Sequence, residues 1–202
     1  KNITSGGEGG LLLINSPEFL DRAEIIREKG TNRSQFFRGV VDKYTWVDIG
    51  SSLLPSELQA AYLWGQLQGY PRIQDARKAA WKKYHQGLAH LQELGKIQLP
   101  DIPNDECFNA HMFYIKTHDL NERMGLQNFL HSRGIHAVFH YVPLHTAPAG
   151  QRYARFSGID NHTTRESERL LRLPLFYGLS NAEQEYIIGN IAAYFSGTAE
   201  PK

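Results

Sequence analysis

The chain opens on KNITSGGEGGLLLI, Lys1 to Ile14, and the order of the parts sets how the rest is read: a lysine, then glycines, then four apolar residues. The run Leu11-Leu12-Leu13-Ile14 is short, apolar and bounded by turn residues, which predicts a buried strand. A lysine just ahead of a glycine cluster stands where backbone can come close to a ligand, because glycine offers no side-chain obstacle, and its amine can form an imine. A lysine at this place can equally be a solvated, mobile side chain. Phosphate-cradling loops run from a strand through glycine into a helix N-terminus, whereas this cluster runs into a strand, which argues against that class of site.

Outward from that opening, Ser16-Pro17-Glu18 signals a helix start, with Phe19, Ala23 and Ile26 at helical spacing and Lys29-Gly30 as the stop. Residues 31–54 are rich in Phe, Tyr, Trp, Arg and Gly without a clear period and read as an ordered loop holding a short strand near Tyr44-Thr45-Trp46-Val47; long loops of this kind tend to carry function. Pro55-Ser56-Glu57 opens a further helix, broken at Gly69-Tyr70-Pro71. Residues 72–94 form a longer amphipathic helix closed by Gly95, whose face of Ile73, Ala76, Ala80, Tyr84, Leu88 and Leu91 is assigned to a core.

Beyond Pro100 to Asp105 the texture changes to a compact α+β unit. Strands are expected at Met112–Ile115 and Ile135–Tyr141, and helices at Asn121–Arg133, around Thr164–Arg172 and at Ser180–Phe195. Ser180 and Glu183 have the spacing of a capping box.

Composition narrows the function classes. Of 202 residues 41% are hydrophobic and 21% charged, as in ordinary folded proteins, and 22 Lys and Arg against 21 Asp and Glu leave +1, so no basic field makes nucleic acid or an anionic membrane the default partner. No apolar run exceeds five residues, against the roughly 20 a membrane-spanning helix needs. One cysteine, Cys107, allows no internal disulfide and reads as an inert thiol in a cytoplasmic protein. There is no initiator methionine and no targeting segment, and the chain reads as part of a longer polypeptide.

His136 and His140 share a face of an alternating strand and His145 follows, but no cysteine pair, HExxH or third ligand at suitable spacing goes with them, so no metal is expected. His140-Tyr141-Val142-Pro143-Leu144-His145 sets two imidazoles and a phenol around a proline-stiffened strand end, a good place to hold a polar ligand and also a plausible packed turn.

Three segments in order, Lys1 to Gly10, Gly50 to Ala61 and His140 to His145, resemble the DegT/StrS family of pyridoxal-phosphate sugar aminotransferases, and the likeness runs collinearly over nearly the whole chain. Arg22 to Phe37, Asp42 to Ser52 and Ser167 to Tyr177 extend it. The resemblance implies an α/β fold: the C-terminal part of an aspartate-aminotransferase-type large domain, residues 1–69, followed by a small α+β C-terminal domain, residues 70–202, that includes the long connecting helix. It also implies a homodimer, pyridoxal 5′-phosphate as cofactor, and Lys1 as the lysine that carries it. The amino donor would be glutamate and the acceptor a nucleotide sugar, the 4-keto carbon of dTDP-4-dehydro-6-deoxyglucose.

Where many family members have G-x-N-x-R-M-x-E-x-Q-A-A, this chain has Gly50-Ser51-Ser52-Leu53-Leu54-Pro55-Ser56-Glu57-Leu58-Gln59-Ala60-Ala61. Ser52 stands at the asparagine that reaches the cofactor phosphate, and its hydroxyl can still donate one hydrogen bond, while Leu54 replaces the arginine. For the substrate, Arg38 and Lys43 are candidates for the diphosphate, Tyr44 and Trp46 for lining the pocket or packing the dimer, and Tyr141 with His145 for the hexose. Family members with histidine in place of the lysine are dehydratases, so Lys1 favours transamination; a dehydratase of the same fold and an inactive scaffold or dimerisation unit are the alternatives.

Overall fold

The computed structural model describes residues 6–103, 106 and 108–197. Lys1 and Cys107 lie outside them. The chain divides into two compact units, the first ending at Tyr70 and the second beginning at Pro71.

In the first unit a single 3-10 turn, Pro17–Phe19, leads into α1 (Leu20–Arg27). Proline suits that first turn because its missing N–H has no helical partner to lose. Ser16 does not cap the helix: its hydroxyl donates to Glu18 Oε1 at 3.0 Å. Lys29 and Gly30, at φ 66° and 78°, turn the chain out of the helix where the sequence places the stop. A short helix, α2 (Arg33–Phe37), interrupts the aperiodic loop, and the strand expected near Tyr44–Val47 is reduced to one antiparallel bridge, Thr31 to Trp46. The N-cap residue Asn32 spends its side chain across the loop instead, accepting from Thr45 N at 2.8 Å. α3 (Glu57–Gln68) starts on a full capping box in which Ser56 and Gln59 serve each other's backbone N–H.

Leu11–Ile14 is not a strand, and Leu11, Leu12 and Leu13 are 87%, 73% and 76% exposed. A strand exists only as a member of a ladder, and among the described residues no segment pairs with this one. The only buried residue among those described in the first unit is Gly30.

The second unit has its own core. α4 (Tyr70–Glu93) buries Ala80, Tyr84, Leu88 and Leu91 of the expected face together with Gln74, Arg77 and Trp81, and ends at Gly95 (φ 67°), where Lys96 N–H reaches back to the Leu91 carbonyl. β1 (Phe113–Lys116) and α5 (Leu120–His131) follow; Asp119 caps α5 by accepting from Glu122 N, and Gly134 stops it at φ 73°. β2 is only Val138–Phe139. The expected strand over 135–141 is cut short because it is an edge strand with partners only at Arg172 and Leu171. α6 (Pro148–Tyr153), not anticipated from the sequence, breaks up the loop that follows.

α7 (Thr163–Arg169) stops short of the expected Arg172, and Leu170 to Arg172, expected to continue it, belong instead to β3 (Leu170–Leu173). Leucines have good helix propensity, but here the segment lies between two strands that complete its backbone pairing, and the tertiary term wins. α8 (Asn181–Ser196) closes the chain on the expected Ser180–Glu183 capping box.

The sheet is antiparallel with order β1-β3-β2 and β3 at its centre. Phe113, Ile115, Leu171 and Leu173 face the core, where Phe113 meets Trp81 and Tyr84 at ring separations of 5.3 and 5.1 Å. Each such side chain removed from water stabilises the unit by about 1.5–3 kcal/mol. The opposite face carries Tyr114, Lys116, Leu170 and Arg172, all half-buried. No helix of the described residues is long and apolar enough to cross a membrane.

Candidate functional site

Ser52 is placed by backbone rather than by packing. Its neighbours are tied to the end of α1: Ser51 N–H donates to Ile26 O at 2.7 Å, Leu53 N–H to Arg27 O at 3.1 Å, and Lys29 N–H to Ser51 O at 3.1 Å. Ser52 itself bridges Glu28. The crossing is possible because Gly30 and Gly50 pass in contact; a Cβ on either would overlap backbone of Asp48 or Gly30. Arg22 pins the same loop, donating to Ile49 O at 3.1 Å and pairing with Asp48 at 3.3 Å.

The Ser52 hydroxyl is thus exposed, on a backbone held in position, and without a hydrogen-bond partner among the described residues. As donor chemistry it fits a phosphate oxygen, through a single bond. Glu28, across the bridge, has a buried Oε2 with no partner among the described residues, and an ionised carboxylate cannot donate to a phosphate. Gly6 lies against the first turn of α3, where a Cβ would come within 2.7 Å of the Gln59 carbonyl. Lys1, the residue on which the cofactor assignment turns, is outside the described residues.

The other first-unit candidates separate. Arg38 is spent: both its Nη atoms hold the Glu24 carboxylate at 2.7 Å, a bidentate pair that lowers the Glu24 pKa and raises that of Arg38. Lys43 is exposed with no ion-pair partner among the described residues. Tyr44 packs edge-on against Phe36 at 5.7 Å, and Trp46 is 75% exposed beside Gly30.

In the second unit Tyr141 and His145 have different partners. Tyr141 is anchored by its carbonyl, which accepts from the Ser167 hydroxyl, and its ring lies 4.0 Å from His140. His145 Nε2 meets Asp160 Oδ2 at 2.8 Å, Thr164 Oγ1 donates to the same oxygen at 2.5 Å, and Phe156 covers the imidazole at 4.4 Å. The Thr164 hydroxyl, with help from its backbone N–H and from His145, outweighs desolvation and holds Asp160 below the usual carboxylate range. An ionised Asp160 can only accept, so His145 donates Nε2–H to it and Nδ1 is left as the free ring nitrogen. His136, His140 and His145 go to separate neighbours, and among the described residues no group of three His, Cys, Asp or Glu is placed to hold a metal.

Sequence reasoning missed Glu24, Asp160, Thr164 and Arg172. Glu24 lies 14 residues from Arg38 and Asp160 15 from His145, with no periodic signal linking either pair. Arg172 did leave one: it is the polar break in the apolar run Leu170-Leu171-Arg172-Leu173.

Residues 1–192 match the DegT/DnrJ/EryC1/StrS aminotransferase family. The chain belongs to that family. Among relatives of this DegT/DnrJ/EryC1/StrS chain, a pleiotropic regulatory protein of Geobacillus stearothermophilus is 26% identical over 96% of this chain and 49% of its own length. The dTDP-3-amino-3,4,6-trideoxy-alpha-D-glucose transaminase of Streptomyces venezuelae is 29% identical over 87% and 42%. The solved aminotransferase TlmJ of Streptoalloteichus hindustanus superposes with a TM-score of 0.81 at 25% identity, covering 98% of this chain and 50% of TlmJ. The fold is therefore that of part of an aminotransferase of this family, and the chain spans about half the length of the curated relatives it matches.

Proposed function

We propose that this chain is the C-terminal half of a pyridoxal-phosphate aminotransferase that moves the amino group of glutamate to the 4-keto carbon of dTDP-4-dehydro-6-deoxyglucose. The product is dTDP-4-amino-4,6-dideoxygalactose, for a surface polysaccharide of the enterobacterial common antigen type. The reading rests on the Lys1-to-Gly10 string in collinear order with Ser52 and with His140 to His145, inside the family match over residues 1–192. The enzyme acts as a cytoplasmic homodimer, without nucleic acid or membrane as partner, and residues 1–69 and 70–202 belong to its large and small domains. The isolated chain is inactive.

Each residue then has a defined task. The neutral amine of Lys1 carries the cofactor and, when released, moves a proton between the amino-acid Cα and the cofactor C4′. Pyridoxal phosphate, when bound, supplies the electron sink. Ser52 donates to its phosphate from a position fixed by the α1 carbonyls. His145, its Nε2–H held by Asp160, turns Nδ1 to a hexose hydroxyl, and Tyr141 offers its phenol to the same sugar. Tyr44 and Trp46 line the pocket or pack the dimer. Lys43, with no carboxylate partner among the described residues, attracts the diphosphate, whereas Arg38 reaches it only by leaving Glu24.

The full-length protein carrying this chain should show the visible absorbance of lysine-bound pyridoxal phosphate and lose it in Lys1→Ala. An unchanged spectrum in that variant sinks the reading. With a 4-keto sugar nucleotide and glutamate the enzyme should form 2-oxoglutarate; consumption of the sugar without 2-oxoglutarate would make it a dehydratase.

A further inference from the structure

Arg172 sits on the central strand of the second unit's sheet, paired across the ladder with Tyr114 of β1 on one side and Val138 of β2 on the other. Opposite residues in an antiparallel pair point to the same face, so Arg172 projects from the face turned away from the core. The other cation there is already neutralised: Lys116 holds Glu166 at 2.7 Å. Arg172 has no carboxylate partner among the described residues. Its one side-chain polar contact among the described residues is His140 Nδ1, 3.0 Å from Nη1, and its guanidinium stands 6.0 Å from the centre of the Tyr141 ring.

A guanidinium can only donate, so His140 Nδ1 is the acceptor and its imidazole is neutral, with the proton on Nε2. The pKa of His140 is lowered by burial, then by Arg172 and His111, and that of His111 by burial, then by Arg77 and Arg172; no carboxylate opposes these shifts. His140 therefore orients Arg172 without cancelling its charge. Nε–H and both Nη2 hydrogens have no acceptor among the described residues. That is the reverse of Arg38, whose fork is already filled by Glu24.

We infer that Arg172, oriented by His140 and backed by the Tyr141 ring, is an oxyanion-binding residue whose guanidinium fork receives a carboxylate or phosphate group of a substrate. Its position between two paired strands fixes where the fork points, as planar bidentate recognition requires. In the enzyme proposed above two substrates carry such a group, the amino-acid donor and the nucleotide diphosphate, and to that extent the inference rests on the proposed function.

Glutarate and inorganic pyrophosphate serve as probes, since binding of either can be read in the full-length protein without turnover. Calorimetry should show Arg172→Gln binding at least one of them about tenfold more weakly than the parent, with the thermal midpoint retained. Loss confined to glutarate assigns the site to the donor carboxylate, and loss confined to pyrophosphate assigns it to the diphosphate. If the parent binds neither probe, or the variant binds both as tightly as the parent, the inference is wrong. Should Arg172→Gln fail to fold, modification of the parent by phenylglyoxal, mapped by mass spectrometry, decides: Arg172 protected by neither probe overturns the proposal. Failure of the functional reading shows separately, as an absent cofactor band, and leaves these binding measurements interpretable.

Discussion

Leu11-Leu12-Leu13-Ile14 and Leu170-Leu171-Arg172-Leu173 are both short leucine-rich segments, one in each unit, and they end in opposite states. Leu11 is 87% exposed, whereas Leu171 is fully buried. Local propensity does not separate them. β3 lies between β1 and β2, which take up its backbone hydrogen bonds, while α4, α5 and α8 supply core side chains; the first segment has no ladder partner among the described residues. The same contrast divides the helices: α3 and α8 both start on complete capping boxes, yet α3 buries nothing and α8 buries Gln184, Ile187 and Ile191. A cap and an apolar stripe make a helix ready to pack, and burial needs a second surface to pack on.

The largest test of that contrast is to cut between the units. A polypeptide of residues 71–202 should unfold cooperatively in urea, because its core is internal; residues 1–70 alone should show no cooperative transition. A sharp transition in the shorter piece would remove the distinction. Next in size, Phe113→Ala, which empties the space between Trp81 and Tyr84, should cost about 3–5 kcal/mol by the shift in urea midpoint. Leu12→Ala in the same 202-residue chain should stay within about 0.5 kcal/mol, and a loss comparable to that of Phe113→Ala would mean Leu12 is buried in solution.

How far the sequence could be read follows the same division. The face of α4, the Ser180–Glu183 capping box and the stops at Gly30, Gly95 and Gly134 are local facts of period and backbone freedom, and all appear where the residues put them. Leu11–Ile14, expected as a strand, is none, and Leu170 to Arg172, expected as helix, is strand, because the identity of a strand resides in its neighbours. At the candidate site, residue types were legible and partners were not: Arg38 looks like a free cation in sequence, and only the fold shows Glu24 in its fork. Asp160 and Thr164, which hold His145, are brought to it by the path of the chain through α6 and back to the start of α7.

A smaller effect separates the two capping boxes. Ser180→Ala removes the acceptor for Glu183 N–H at the start of a helix packed into the core and should cost about 1 kcal/mol in the second unit. Ser56→Ala breaks the same bond at α3, which buries none of its residues, so the midpoint should not move. Equal shifts in the two variants would show α3 coupled to the core as firmly as α8.

The smallest expected effect is a pH dependence confined to the second unit. His111 and His140 have pKa values lowered from 6.5, mainly by burial and then by the neighbouring arginines. The unfolded chain binds protons at these sites before the folded one does, so their neutral forms favour the fold above pH 6.5, and stability falls as pH drops through that value toward the lowered pKa values. Glu24, Asp160, Glu166 and Glu183 are also lowered, from ordinary values of 3.8 to 4.5, so their contributions are complete above about pH 4.5 and are lost only below it. A decline in thermal midpoint between pH 7 and 5 therefore reports the histidines of the second unit, and a further decline below 4.5 reports the carboxylates of both. Arg172→Met removes the hydrogen bond to His140 Nδ1 and one of its two nearby charges, so the His140 titration, followed by NMR, should move up toward 6.5 and the decline above pH 5 should shrink. A His140 titration at the same pH in parent and variant would mean that burial and His111 set it without Arg172, and that the guanidinium lies farther from the imidazole than 3.0 Å.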